Sequence, residues 1–184
     1  MSSTKEQILA GSTTAFWDAS CNSNLAYRPQ FISNNHTAGQ KVLATIENEL
    51  RVCDSFVISV AFITLGGIEP LLQVLQELEN RNIPGKILTT DYNMFTDPRA
   101  LDKLAGLKNI ELRMYHEVTV SDTSEKADTE KTGFHTKGYI FKKADLFTVV
   151  VGSSNMTMSA LTVNKEWNTK LVSAENGEIL QNIR

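Results

Sequence analysis

Apolar residues recur with two different periods along this chain, and the two periods alternate in order. Val42, Leu43, Ile46 and Leu50 stand three or four positions apart, which predicts a helix over residues 40–53 with one apolar face. Asp54-Ser55 breaks that run. Residues 55–63, SFVISVAFI, are almost wholly apolar and rich in β-branched and aromatic types, the pattern of a strand buried on both faces. Gly66-Gly67 turns the chain. Residues 68–80 predict a second amphipathic helix, with Pro70 in the first turn, where a missing N–H is tolerated. Residues 86–90 predict a strand. Thr96-Asp97-Pro98 caps a third helix over 99–105, and the alternating run IELRMY predicts a strand over 110–115.

The second half changes rhythm. Residues 117–131, EVTVSDTSEKADTEK, are polar and charged and predict a mobile loop or a loose hairpin. Two strands follow, over 135–141 and 146–151, separated by the polar turn Lys142-Lys143-Ala144-Asp145. A short helix over 156–162, a strand over 167–173 and the start of a helix from 174 complete the pattern. Residues 1–30 are mixed and read as an N-terminal arm, with 31–33 as a short first strand. The order predicts one α/β domain over 31–184, with a mixed β-sheet flanked by helices on both faces. The last helix breaks off partway, which predicts that the domain is part of a longer chain.

A length of 184 residues suits one domain with a real core. The net charge of −3 gives no bulk attraction to nucleic acid, so such a partner needs a local site. Cys21 and Cys53 lack metal-ligand spacing. Together with a leader that has no signal-peptide pattern, they point to the reducing cytoplasm. No apolar run approaches the ~20 residues that span a membrane.

Candidate chemistry lies between Phe134 and Asn168. His135 and Lys137 stand two apart in a strand pattern, so they share a face, with Tyr139 following. A hairpin brings Ser153 and Asn155, in Gly152-Ser153-Ser154-Asn155, to the level of His135 and Lys137. An imidazole, a cation, a hydroxyl and an amide then converge, a set able to hold and attack a phosphate. Either motif alone is weak: an isolated H-x-K is usually a structural strand histidine, and G-S-x-N an ordinary turn. Their order and spacing together carry the reading. His116, after a strand end, is the remaining histidine near this edge. His36 sits in a turn. Thr89 to Asn93, at a strand end, and Arg99, Lys103, Lys142 and Lys143 are the available backbone contacts.

H-x-K followed by G-S-x-N resembles the HKD signature of the phospholipase D superfamily. The finer pattern, GSSN-x-T-x-SAL followed by EWN, is most similar to the phospholipase D-like nuclease domains attached to some bacterial superfamily 2 helicases. The resemblance implies that His135 is the nucleophile and that Lys137 and Asn155 bind phosphate. Ser153 and Ser154 contact the substrate, and Glu166 supports the histidine. It implies a phosphohistidine intermediate, no metal and no cofactor, with ATP used only by a helicase motor elsewhere. One position departs from the signature: where the family has Asp, five residues after the lysine, this chain has Lys142. The helicase-attached branch often lacks that Asp too.

Cleavage also needs a second acid for the leaving oxygen, worth ~10²–10⁴ in rate. In the family two motifs meet at a two-fold axis, which implies a homodimer with a His135 from each subunit, or a second motif beyond residue 184. The expectation is a DNA nuclease module without membrane contact. A catalytically silent DNA-binding or dimerisation module and a phospholipase D-type lipid hydrolase are the alternatives.

Overall fold

The computed structural model describes residues 2–16, 20, 22–116 and 133–183. The loop expected over 117–131, Trp17 and Cys21 lie outside the described residues. Elements run in the order α1 (Thr4–Phe16), β1 (Gln30–Ile32), α2 (Val42–Val52), β2 (Ser55–Val60), α3 (Leu65–Ile68), α4 (Leu72–Asn80), β3 (Gly85–Thr90), α5 (Pro98–Ala105), β4 (Ile110–Tyr115), β5 (Lys137–Lys143), β6 (Leu146–Gly152), α6 (Met158–Thr162), β7 (Asn168–Ala174) and α7 (Glu178–Ile183). Short 3₁₀ turns occupy Glu69–Leu71 and Tyr92–Met94.

Among the described residues the strands form one seven-stranded sheet in the order β1-β7-β6-β5-β2-β3-β4. β2, β3 and β4 are parallel, joined through helices as parallel neighbours must be. β5 lies antiparallel to β2 and opens an antiparallel half with β6, β7 and β1. The expected α/β class, with a mixed sheet and helices on both faces, is the observed one.

The main core lies on one face. Val42, Ile46 and Leu50 of α2 and Val74, Leu75 and Leu78 of α4 pack with Phe56, Ile58 and Val60 of β2 and Tyr139 and Phe141 of β5. Cys53 joins this core, and burial pushes its thiol up to about 11. A smaller cluster on the other face sets Leu180 of α7 against Ile140, Phe147 and Val149. Among the described residues that second cover reaches β5 and β6. β2 is therefore buried on one face and not on both, as its composition had suggested: Val57 is 37% exposed.

Two further departures from the sequence reading have local causes. Residues 4–16 form a helix where only an arm was expected; their apolar residues make no broad stripe, so periodicity gave no signal. The helix read over 68–80 starts at Leu65 and passes through a 3₁₀ turn at Pro70. α2 has no side-chain cap of its own. Its first N–H is met by Asn34 Oδ1 at 3.0 Å, and the same amide donates to the carbonyls of Ala160 and Asn164, both at 2.8 Å. Asn34, in a stretch read only as a turn, thus ties α2 to α6.

Candidate active site

The β5–β6 hairpin decides which side chains meet. Lys143 pairs with Leu146, so the turn is tight, and Ala144 takes a left-handed φ of 51°. Asp54 steadies it: its Oδ2 accepts from Ala144 N at 2.7 Å, and its own N–H donates to Lys142 O at 2.7 Å. The hairpin's carboxylate thus comes from Asp54, before β2, and not from position 142. Lys142 holds its ammonium 5.6 Å from the Phe147 ring centroid.

From Lys143↔Leu146 the register runs to Gly138↔Val151. One step further, His135, Lys137 and the Gly152–Asn155 loop share one end of the sheet, at the level the sequence predicts. β5 starts at Lys137, so His135 stands just before the strand. Thr136 anchors it: its carbonyl accepts from Ala61 N at 3.0 Å, and its hydroxyl pairs with Ser59 Oγ at 2.6 Å. Both side chains of the H-x-K pair reach the same space. Lys137 Nζ bonds His135 Nδ1 and donates to His135 O at 3.0 Å. An Nδ1 that accepts from an ammonium leaves a neutral imidazole with its proton on Nε2.

The other half of the site is stitched to the segment after β2. Asn155 Oδ1 accepts from Phe62 N at 3.2 Å, which leaves the Asn155 NH₂ as a donor for another partner. Met156 N donates to Phe62 O at 3.1 Å, and Thr64 N to Met156 O at 3.0 Å. Gly67 is required here, because a Cβ would sit 2.1 Å from Met156 O. Tyr139 is buried and its hydroxyl donates to Ser154 O at 3.0 Å, a packing role, with its pKa driven up by burial and by the charge of Glu166.

Three expected roles are altered by these contacts. Ser154 does not reach the substrate space: it is fully buried, and Asn168 holds it through Ser154 N (3.3 Å) and Ser154 Oγ (2.9 Å). Ser153 is exposed, but its one hydroxyl proton goes to Glu166 Oε2, while its oxygen accepts from Trp167 N at 3.1 Å. It has no proton left for a phosphate in this arrangement. Glu166 therefore bonds Ser153 and not His135. Its charge still acts on Lys137: burial lowers the ammonium's pKa and Glu166 opposes that shift.

The basic contacts proposed from sequence do not gather at the site. Lys142 and Lys143 lie at the far end of β5, about 15–20 Å away at ~3.3 Å per residue. Arg99 is spent on Asp97, the cap of α5, through bonds of 3.1 and 2.9 Å, and it holds that carboxyl below its ordinary range. Thr89 and Thr90 are buried, with Thr89 Oγ1 donating to Ala61 O at 3.2 Å. His116 is exposed and bonds Asp91 Oδ2 through Nδ1 at 2.6 Å. Asn168 was missed as a functional scaffold, although it closes the EWN triplet; only its burial among polar atoms reveals its role.

If Lys137 holds a phosphate it does so as an ammonium, and activity is then expected to fall as pH rises through its pKa. With that pKa lowered, the alkaline limb of kcat/KM is expected below the ~10.4 of a free lysine. Lys137→Arg, which stays charged, is expected to remove the limb in a pH–rate profile.

Among the described residues no group of three or more His, Cys, Asp and Glu is placed to hold a metal ion, and no helix is long and apolar enough to cross a membrane. No curated protein matches the chain in sequence. Its fold is that of several solved structures. NucT from Helicobacter pylori superposes with a TM-score of 0.61 at 15% identity, over 84% of this chain and 89% of that one. Nuc from Salmonella typhimurium, a phospholipase D family member, gives 0.56 at 17% over the same shares. Yeast tyrosyl-DNA phosphodiesterase gives 0.50 at 16%, over 77% of this chain and 31% of that one. The family described as cardiolipin synthase, PLD-like domain, matches residues 49–184. That match takes in most of the chain and the whole hairpin site, and on it the chain belongs to the phospholipase D-like domain family.

Proposed function

We propose that this chain is a metal-independent phosphodiesterase that cleaves DNA through a phosphohistidine, as the nuclease module of a cytoplasmic helicase. The observation that carries this reading is the bond of Lys137 to His135 at the sheet end that also carries Asn155. A bound phosphodiester draws Lys137 Nζ off His135 Nδ1 and onto a nonbridging oxygen, where Asn155 adds a second donor. Attack by Nε2 needs its proton moved to Nδ1. Glu166 is the carboxylate available to hold that Nδ1–H once it leaves Ser153. Nε2 then forms a bond to phosphorus, the P–O bond to the leaving group breaks, and the leaving oxygen takes a proton. Water releases the phosphate from the imidazole and restores His135.

The helicase partnership rests on the GSSN-x-T-x-SAL and EWN pattern. DNA is favoured by that pattern and by the name of the yeast phosphodiesterase. DNA cleavage in excess EDTA, with His135→Ala in parallel, is the test. The leaving-group proton is assigned to His135 of a second copy, in a homodimer closed around the site. The exposed Trp167, packed edge-on against Phe31 at 6.1 Å beside Glu166, offers such a copy an apolar rim. Sedimentation velocity is expected to give a dimer; a monomer at concentrations of full activity overturns this assignment. A lipid phosphodiesterase takes support from the family description. A silent module takes support from Lys142 at the signature's Asp position.

A further inference from the structure

Two aromatic rings leading from His135, Phe62 and Phe95, and a third, Tyr92, on the turn that carries Phe95, have no part in the chemistry above. The Phe62 ring meets the His135 ring edge-on, with centroids 6.1 Å apart. Phe95 meets Phe62 in the same way at 5.1 Å. The rings lead outward: Phe62 is half-buried, while Phe95 is 57% and Tyr92 43% exposed. Both ends of the row are fixed. Phe62 is held by Asn155 and Met156 through its backbone. The turn carrying Tyr92 and Phe95 is pinned by Thr96 Oγ1 donating to Thr90 O at 2.8 Å and by Asp97 N donating to Ile63 O at 2.8 Å. Within it, Asn93 and Met94 adopt φ values of 52° and 54°, a region that side-chain-bearing residues avoid. A strained turn that presents large apolar side chains to water, against the active site, serves no purpose in packing.

We propose that Phe62, Phe95 and Tyr92 form a base-stacking path for a single-stranded polynucleotide whose scissile phosphate sits at His135, Lys137 and Asn155. This assignment of substrate class rests on the phosphodiesterase reading. A base next to the bound phosphate arrives at Phe62 and Phe95, and the following one at Tyr92. Stacking on rings accepts every base, because each has a π-face. A duplex keeps its bases stacked on one another and offers none to these rings, so a single strand is selected. The lining is aromatic, which suits planar bases better than acyl chains. Local charge adds little, since Arg99 is paired with Asp97 and His116 with Asp91. The contribution of the path is therefore independent of salt, whereas phosphate contacts weaken as salt rises.

The test compares binding of an oligothymidylate with binding of an abasic strand of equal length, for wild type, Phe95→Ala, Phe95→Leu and Phe95→Trp. Wild type is expected to prefer the thymidylate by about tenfold or more. Phe95→Ala and Phe95→Leu are expected to lose about tenfold in thymidylate affinity, equally at low and high salt, and Phe95→Trp to keep it. Equal binding of both strands by wild type overturns the stacking path and leaves the phosphodiesterase reading standing. Failure to bind or cleave either strand overturns both. Wild-type behaviour of Phe95→Leu, with phosphatidylglycerol vesicles displacing the thymidylate, replaces the nucleic acid by a lipid. An unchanged base preference in Phe95→Ala, with a smaller sedimenting species, assigns the rings to a second copy of the chain and overturns the proposal.

Discussion

His135→Ala is expected to lower DNA cleavage in excess EDTA by at least about 10⁴-fold, the scale on which removing a nucleophile acts. The imidazole is exposed, and among the described residues its hydrogen bond is to the Lys137 ammonium. Its removal creates no cavity and leaves no buried polar group unpaired, so the thermal midpoint is expected to stay within the range of ordinary surface changes. The loss is then one of chemistry and not of folding. Cleavage by wild type that stops on adding EDTA would end the metal-independent reading. Cleavage that persists unchanged in His135→Ala would place the reaction elsewhere. DNA that is bound by both proteins and cut by neither would move the chain to the silent module.

Gly152→Ala is expected to lower stability by about 2–3 kcal/mol, the cost of forcing atoms into a packed site, read as a urea midpoint lowered by ~1 M. A Cβ there would lie 2.2 Å from Trp167 O and 2.6 Å from Asn168 Cα, which are backbone atoms and cannot swing aside. β6 and β7 must part where Asn168 holds Ser154 and where Ser153 exchanges hydrogen bonds with Trp167. Activity is expected to fall with stability, because Ser153 and Asn155 ride on that loop. Gly138→Ala is the matching control. A Cβ there meets nothing within 4 Å, so its stability is expected to stay within ~0.5 kcal/mol of wild type. Equal effects of the two substitutions would mean that the strands are not packed as described.

Much of the fold was legible because local periods and burial agree. The apolar positions of α2 and α4 stand at helical spacing, and Val42, Ile46, Leu50, Val74, Leu75 and Leu78 among them are buried. The alternation in β5 and β6 sends Tyr139 and Phe141 to one core and Ile140 and Val149 to the other. β2 was misread because residues 55–63 were taken as one apolar run, whereas within Ser55–Val60 the open face carries Ser55, Val57 and Ser59 and the buried face Phe56, Ile58 and Val60. The site was legible to the level of its two motifs. Residue identity places His135, Lys137 and Asn155 at one end of a hairpin, but it does not fix who bonds whom. Glu166 and Ser153 are thirteen residues apart and compete for several partners, and the choice of Ser153 for Glu166 follows from the β6–β7 register.

By itself, the sequence determined the α/β class, the hairpin and the sheet end at which His135, Lys137 and Asn155 stand, because strand and helix periods and short-range register are local properties. The tertiary structure alone decided that Ser154 is buried under Asn168, that Asp54 supplies the hairpin's carboxylate, and that Phe62 and Phe95 lead to His135. Each of those contacts joins residues distant in the chain, and their partners are set by the order in which strands pack side by side, which no local period encodes.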